Sequence, residues 1–191
     1  MPVVITTAQT DADIRGLLAL QQQNLVRNVS AEIAQNQGFV TVEHTYELLH
    51  EMNQAAPQII AKDHDTVVGY ALVMPPSFQD LIPVLKPMFV MLAGLTWRGK
   101  AIKATDFYAM GQICVADGYR GAGIFDALYA KHREQMAHQY KYCITEVAVR
   151  NTRSMRAHER VGFEVIHTFE DDTDHWNIML MELKPTSPPP N

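Results

Sequence analysis

Two hydrophobic periods alternate along the chain, and where one gives way to the other marks the predicted elements. "VVIT" at residues 3–6 reads as a short strand. Thr10, with Asp13 three residues on, forms a capping-box pattern that opens a helix whose Ile14, Leu17, Leu18 and Leu25 fall near helical spacing. Ser30 can cap a second helix ending near Gly38, and "TYELLHEM" suggests a third. "QIIAKDHDTVVGYALVM" gives two β-rich runs around Asp63-His64-Asp65, the pattern of a hairpin. Residues 75–104 show no clear period and read as a partly helical excursion packed over the sheet. After it come a long strand, "DFYAMGQICVA", a helix, "GIFDALYAKHREQMAHQ", with Ile124, Leu128 and Met136 on one face, and a strand, "YCITEVAV". A helix, "NTRSMRAHERV", and two strands, "FEVIHTF" and "HWNIMLMEL", complete the pattern. Strands alternating with helices predict crossover connections, and hence an α/β fold whose sheet contains parallel strands. The closing "KPTSPPPN", residues 184–191, reads as a disordered tail.

Length and composition narrow this picture. At 191 residues the chain suits one domain with a substantial core, and 47% hydrophobic with 19% charged residues is an ordinary globular balance. A net charge of −5, from 16 basic and 21 acidic residues, argues against wrapping nucleic acid and is compatible with a cationic acceptor. The N-terminus lacks the basic and apolar regions of a secretion signal. The most apolar stretch, "IPVLKPMFVMLAGLTW", is broken by Lys86, Pro83 and Pro87 and falls short of the roughly 20 apolar residues of a membrane span. A cytoplasmic location is therefore expected, with Cys114 and Cys143 as free, buried thiols and no metal site. His132 and His138 are expected on a solvated helix face. The exposed edges of an open sheet would suit a homodimer.

One short stretch carries the first hint of chemistry. "YRGAGIF", residues 119–125, joins the β-branched run Ile113–Val115 to the start of a helix. Such a turn leaves the N–H groups of the first helical turn without partners, and together with the helix dipole they form an anion site; Arg120 adds a charge able to pair bidentately with phosphate oxygens. Two glycines serve equally well merely to turn the chain. A second glycine pattern, "GLTWRGKA" at residues 94–101, matches the GxxxxGK of a nucleoside triphosphate loop. It places Ala101 where a magnesium-binding hydroxyl belongs, and the other reading is a surface loop with a basic tip.

The first turn gains meaning from its partner downstream. "VADGYRGAGIFDALY" followed by "TEVAVRNTRSMRAHERVGFEVI" resembles the GCN5-related N-acetyltransferases (GNAT), whose acyl-CoA loop reads Q/R-x-x-G-x-G/A. Arg120 and Gly123 match that loop; Glu146-Val147, Asn151, Ser154, His158 and Gly162-Phe163 occupy the places of the family's downstream strand, Asn, small residue, Tyr and "GF". The resemblance covers about residues 105–170. It implies a GNAT-type domain over 1–183, with a mixed, mostly antiparallel sheet, helices on both faces, and parallel central strands, the fourth and fifth, splayed around acyl-CoA. It further implies that the backbone of Ile113, Cys114 and Val115 pairs with the pantetheine arm. Arg120, Gly121, Ala122, Gly123, Ile124 and Phe125 would cradle the pyrophosphate, and Asn151, with Ser154 after it, would meet the arm across the gap. Two departures stand out: Phe125 replaces the family's Gly or Ala, and His158 replaces its Tyr.

The implied reaction moves acetyl from acetyl-CoA to an amine by direct attack in a ternary complex. Attack needs a neutral amine, and an alkyl amine such as lysine has a pKa of about 10.4, so a base is required. Glu146 is the expected base, with His44 and Asp106 as other candidates; the alternative for Glu146 is an exposed acid paired with an Arg. His158 is the expected hydrogen-bond donor to the leaving thiolate, or else it packs on its helix and bonds a backbone carbonyl. Residues 27–50 and 75–104, with Phe78, Phe89 and Trp97, are the expected walls for the acceptor, a primary amine of a small molecule or peptide. The runner-up reading, prompted by Phe125 and His158, is a catalytically inactive acetyl-CoA sensor of the same fold.

Overall fold

The computed structural model describes residues 2–28, 40, 42–81, 86–92 and 94–184. The helix expected between Ser30 and Gly38 and most of the tail lie outside these residues. The chain opens with β1 (Val4–Thr7) and α1 (Asp11–Asn24). The capping box of α1 is formed: the Thr10 hydroxyl accepts from the Asp13 N–H while the Asp13 carboxylate accepts from the Thr10 N–H. There follow α2 (Tyr46–Ala55), β2 (Ile59–Asp63) and β3 (Thr66–Ala71), the last two forming the expected hairpin with His64 at φ 53° in its turn. The excursion contributes α3 (Lys86–Leu92) and a two-stranded hairpin, β4 (Thr96–Trp97) with β5 (Lys100–Ala101). It packs as expected, burying Met88, Phe89, Leu92 and Ile102 in the core.

That hairpin overturns the nucleotide-loop reading of residues 94–101. Arg98 and Gly99 both have positive φ, 48° and 77°, the geometry of a tight two-residue hairpin turn. Arg98 stacks over Trp97 and reaches Glu164 and Glu182, so the stretch is a clip between surface strands and not a strand-to-helix phosphate loop.

The long strand expected over "DFYAMGQICVA" is broken at Met110–Gln112 into β6 (Phe107–Ala109) and β7 (Ile113–Val115). The break separates two sheets, ordered β1-β2-β3-β7 and β6-β8-β10-β9, where β8 is Tyr142–Ala148, β9 Glu164–Glu170 and β10 His175–Glu182. Strand β6 runs parallel to β8, from Phe107 opposite Tyr142 to Ala109 opposite Ile144. A last main-chain bond joins Met110 N–H to Ile144 C=O, and Thr145 Oγ1 donates to the Met110 carbonyl. Beyond that point β7 turns to pair with β3, and a gap opens between β7 and β8.

Helices cover both faces. Because strand side chains alternate, neighbouring positions feed different cores: Ile60, Tyr70, Ile144, Ile178 and Leu180 pack with α1 and α2, whereas Ile59, Ala71, Cys143, Met179 and Met181 pack with α4 (Ile124–Met136). The connection from β8 to β9 is α5 (Thr152–Arg160).

His132 corrects the sequence reading. It lies four residues from both Leu128 and Met136, on the buried stripe of α4, and is fully buried, with Nδ1 2.8 Å from the Tyr108 hydroxyl. His138, past the helix end, is exposed.

Candidate active site

A cleft of about 700 Å³ runs between β7, the loop 119–125, the first turn of α4 and one face of α5. Its loop is shaped by two glycines in the left-handed region, Gly121 at φ 80° and Gly123 at 77°, with no atom within 4 Å of where a Cβ would sit. Gly123 caps α4, so the N–H groups of the following first turn lack main-chain acceptors within the helix. Gly121, Gly123, Ile124 and Phe125 line the cleft; Ala122 is exposed and does not.

Arg120 corrects the expectation of a bidentate phosphate grip. Its Nε donates to the Val115 carbonyl at 3.0 Å and one terminal N–H group to Asn24 Oδ1 at 3.1 Å, which ties the loop to the end of α1. Strand β7 presents its backbone selectively. Leu72 N–H bonds Gln112 C=O and Ala116 N–H bonds Val68 C=O, so by antiparallel alternation the main chain of Cys114 faces Tyr70 on β3. The N–H groups of Ile113 and Val115 point the other way, toward the gap, and Cys114 also lines the cleft. That thiol is pushed up to about 11 by burial.

Across the cleft, Asn151 caps α5, its Oδ1 accepting from the Ser154 N–H at 3.1 Å. Both residues line the cleft, with Arg153, Arg156, Ala157 and Arg160 following on the same helix face. Those four recur at the spacing of one helical stripe, a signal that sequence reasoning passed over.

His158 is not on that stripe. It is buried among the rings of Phe125, Tyr129 and Phe163, with centroids 5.2 to 5.5 Å away. Its Nδ1 lies 2.8 Å from the Ser154 carbonyl, which only accepts, so Nδ1 carries the proton and Nε2 accepts from the Tyr129 hydroxyl at 2.8 Å. Both nitrogens are spent, and burial holds the ring neutral by lowering its pKa to about 4. The expected donor to the leaving thiolate is therefore a packing residue.

Glu146 sits two residues past the last β6–β8 pair, on the face of β8 shared with Ile144 and opposite Ile178. It does not line the cleft but lies across the gap on the α1 side. Its Oε1 is buried and has no hydrogen-bond partner among the described residues. Burial first, then the charge of Asp171, raises its pKa to about 7. Asp171 is fixed by the N–H groups of Thr173 and Asp174 and by Trp176 Nε1. The alternative of an exposed acid paired with an Arg does not hold.

The other two candidate bases are committed elsewhere. Asp106 pairs with Lys141 at 2.8 Å. His44 belongs to a buried network whose polarity is set by the Val42 carbonyl: Gln112 Nε2 donates to it, so Gln112 Oε1 accepts from both Gln21 Nε2 and the Tyr70 hydroxyl. Gln21 Nε2 then also donates to His44 Nδ1 at 2.9 Å, which leaves His44 neutral with its proton on Nε2.

The loop, the splayed strands and the Asn-capped helix occur together in a chain that matches the acetyltransferase (GNAT) family model over residues 27–163. The chain belongs to the GNAT family. Solved structures agree in fold. The yncA protein of Salmonella typhimurium, solved with acetyl-CoA, is 13% identical with a TM-score of 0.64, covering 100% of this chain and 99% of its own. The ribosomal-protein-S18-alanine N-acetyltransferase from Escherichia coli is 12% identical (TM-score 0.61; 97% of each chain). An N-acetyltransferase from Staphylococcus aureus Mu50 is 16% identical (TM-score 0.61; 96% of this chain, 100% of the other). No curated protein matches the chain. Among the described residues no helix is long and apolar enough to cross a membrane, and no group of three or more His, Cys, Asp or Glu is placed to hold a metal ion.

Proposed function

We propose that this GNAT protein transfers an acetyl group from acetyl-CoA to a primary amine of a small molecule or peptide, with Glu146 as the base. The observation that carries this reading is Glu146 itself: a half-buried side chain on β8, just past the last β6–β8 pair, whose Oε1 is buried with no partner among the described residues and whose pKa is about 7. A carboxyl in that range is ionised often enough at neutral pH to take a proton, and basic enough to keep it.

The cleft suits the donor. When bound, acetyl-CoA supplies a thioester carbon for attack by the amine. The first-turn N–H groups of α4 and the Gly121–Gly123 loop would hold its pyrophosphate, as the anion site of a helix N-terminus does. Ile113 and Val115 would offer N–H groups to the arm, and Asn151 its amide from the other wall. Glu146 would receive the amine's proton through the gap. The leaving thiolate has ordinary thiol basicity, so it needs no dedicated acid.

The sensor reading rested on Phe125 and His158. Both are accounted for by packing against each other, which leaves nothing in the geometry that favours it. The test is thermal unfolding with and without acetyl-CoA, followed by thiol release against amines, amino acids and peptides. Expected are a stability gain of roughly 2.7 kcal/mol at about 100 times the dissociation constant, and thiol release that Glu146→Gln abolishes while the gain remains. No stabilisation by acetyl-CoA would overturn the reading.

A further inference from the structure

Residues 42–44, between the Leu25–Val40 bridge and the start of α2, belong to no helix or strand, so their main-chain groups need partners from elsewhere. Among the described residues two side chains supply them. Gln112 Nε2 donates to the Val42 carbonyl at 2.9 Å, and Gln21 Oε1 accepts from the His44 N–H at 2.9 Å. The two glutamines are themselves joined: Gln21 Nε2 donates to Gln112 Oε1 at 2.7 Å, and the Tyr70 hydroxyl donates to the same oxygen at 2.6 Å. Gln21, His44, Tyr70 and Gln112 are all less than a tenth exposed.

Gln112 is where this unit meets the gap, because it closes the break between β6 and β7. Continued past Ala109, the offset that sets Phe107 opposite Tyr142 would bring residues 111 and 112 level with Glu146 and Val147; the strands part there instead. The Gln112 side chain lies with Tyr70 and Gln21 on the α1 side of the sheet, the side to which β8 turns Ile144 and Glu146. Glu146 and Gln112 therefore flank the gap on the same face. An amine that gives its proton to Glu146 and attacks a thioester lying along β7 has to sit between the two strands. The wall it meets on the β7 side is Gln112 with the segment that Gln112 holds.

We propose that Gln112 is a positioning residue for the acceptor: by holding residues 42–44 against the strand break, it fixes the wall on which the amine is bound. The proposal rests on the acetyl-transfer reading above. A carboxamide suits the place because the Val42 carbonyl on one side only accepts, while Gln21 and Tyr70 on the other donate. Neither an apolar side chain nor an ionised carboxylate satisfies both.

The test uses Gln112→Glu, which keeps the oxygen that accepts from Gln21 and Tyr70 and loses only the donor to Val42, with Gln112→Leu as a second variant free of a buried charge. Tyr70→Phe is the control, since it removes a hydrogen bond to the same oxygen and leaves the Val42 tie in place. Three quantities are measured where every variant is folded. They are acetyl-CoA affinity by calorimetry, amide exchange over residues 42–46 by mass spectrometry, and thiol release against the concentration of whichever amine, amino acid or peptide the unmodified protein acetylates fastest. Both Gln112 variants should speed exchange over that segment and raise KM for the acceptor roughly tenfold, the scale of one buried hydrogen bond. Their kcat and acetyl-CoA affinity should stay nearly unchanged, the pattern of lost binding and not of lost chemistry. Tyr70→Phe should leave exchange and KM as they are. Unchanged exchange or an unchanged KM in the Gln112 variants would overturn the proposal. So would an equal rise of KM in Tyr70→Phe, which would make the effect a general loosening of the fold. If the unmodified protein released no thiol with any of these acceptors, the acetyl-transfer reading would fall and this proposal with it, an outcome distinct from the others.

Discussion

Phe125 and His158 meet edge to face, their ring centroids 5.2 Å apart and their planes at 87°. These are the two positions at which the chain departs from the GNAT pattern, and each explains the other. The large ring at the start of α4 packs against the buried imidazole, and Tyr129 and Phe163 close the cluster. Because His158 is part of the packing, His158→Ala should lower stability by about 2 to 4 kcal/mol, from the cavity and the orphaned Tyr129 hydroxyl. Denaturant unfolding measures that loss. Turnover at a temperature where both proteins are folded should change little, and a large fall in kcat without loss of stability would make the ring part of the chemistry.

Glu146 should govern the pH dependence of the reaction. With its pKa near 7, kcat should rise with pH through about 7 as the carboxyl ionises. Its effect on stability has the opposite slope. The folded pKa lies above the ordinary 4.5, so the fold favours the neutral form. Below pH 4.5 the group is neutral in both states and costs nothing; between 4.5 and 7 the unfolded chain ionises first and stability falls; above 7 the cost is complete. Glu146→Gln should therefore match the parent near pH 4 and exceed it at pH 8 by about 1 to 3 kcal/mol. Denaturant midpoints at the two pH values check the sign.

The buried histidines act in the other direction. Burial lowers His44 and His158 to about 4 and His132 to about 3, below the 6.5 of an unfolded chain. Their contribution is present above pH 6.5 and is lost as pH falls from there toward 4, because the unfolded chain takes up protons that the fold refuses. In the Glu146→Gln background, where the opposing carboxyl is removed, the urea midpoint should drop steadily between pH 7 and 5. A flat midpoint would mean that none of these rings is held neutral by the fold.

The loop glycines test backbone against contact. At Gly121 and Gly123 a methyl group meets nothing within 4 Å, so only the positive φ opposes an alanine, at a cost of about 1 to 2 kcal/mol each. Gly123→Ala should lower the unfolding free energy by that amount and also reduce the stabilisation produced by acetyl-CoA, since relaxing φ turns the first N–H groups of α4 away. Calorimetry of both proteins with the ligand separates the two effects.

Much of the fold could be read from local pattern. The Thr10–Asp13 cap, the hairpin at Asp63–Asp65 and the strand-helix-strand alternation after residue 105 are set by residues close together in sequence, where hydrogen-bond geometry and hydrophobic period act directly. Even the burial of His132 was written in its four-residue spacing from Leu128 and Met136. What local pattern does not contain is the partner across space. The break at Met110–Gln112 looks like continuous strand until β7 and β6 are seen to bond to different neighbours, and that change of partner is what opens the gap. Arg120 reads as a phosphate ligand until Asn24, far earlier in the chain, takes one edge of its guanidinium. Glu146 and His158 are both polar residues on amphipathic elements. Only the packed structure leaves one without a hydrogen-bond partner and gives the other two, because desolvation and hydrogen bonding depend on residues that sequence keeps apart.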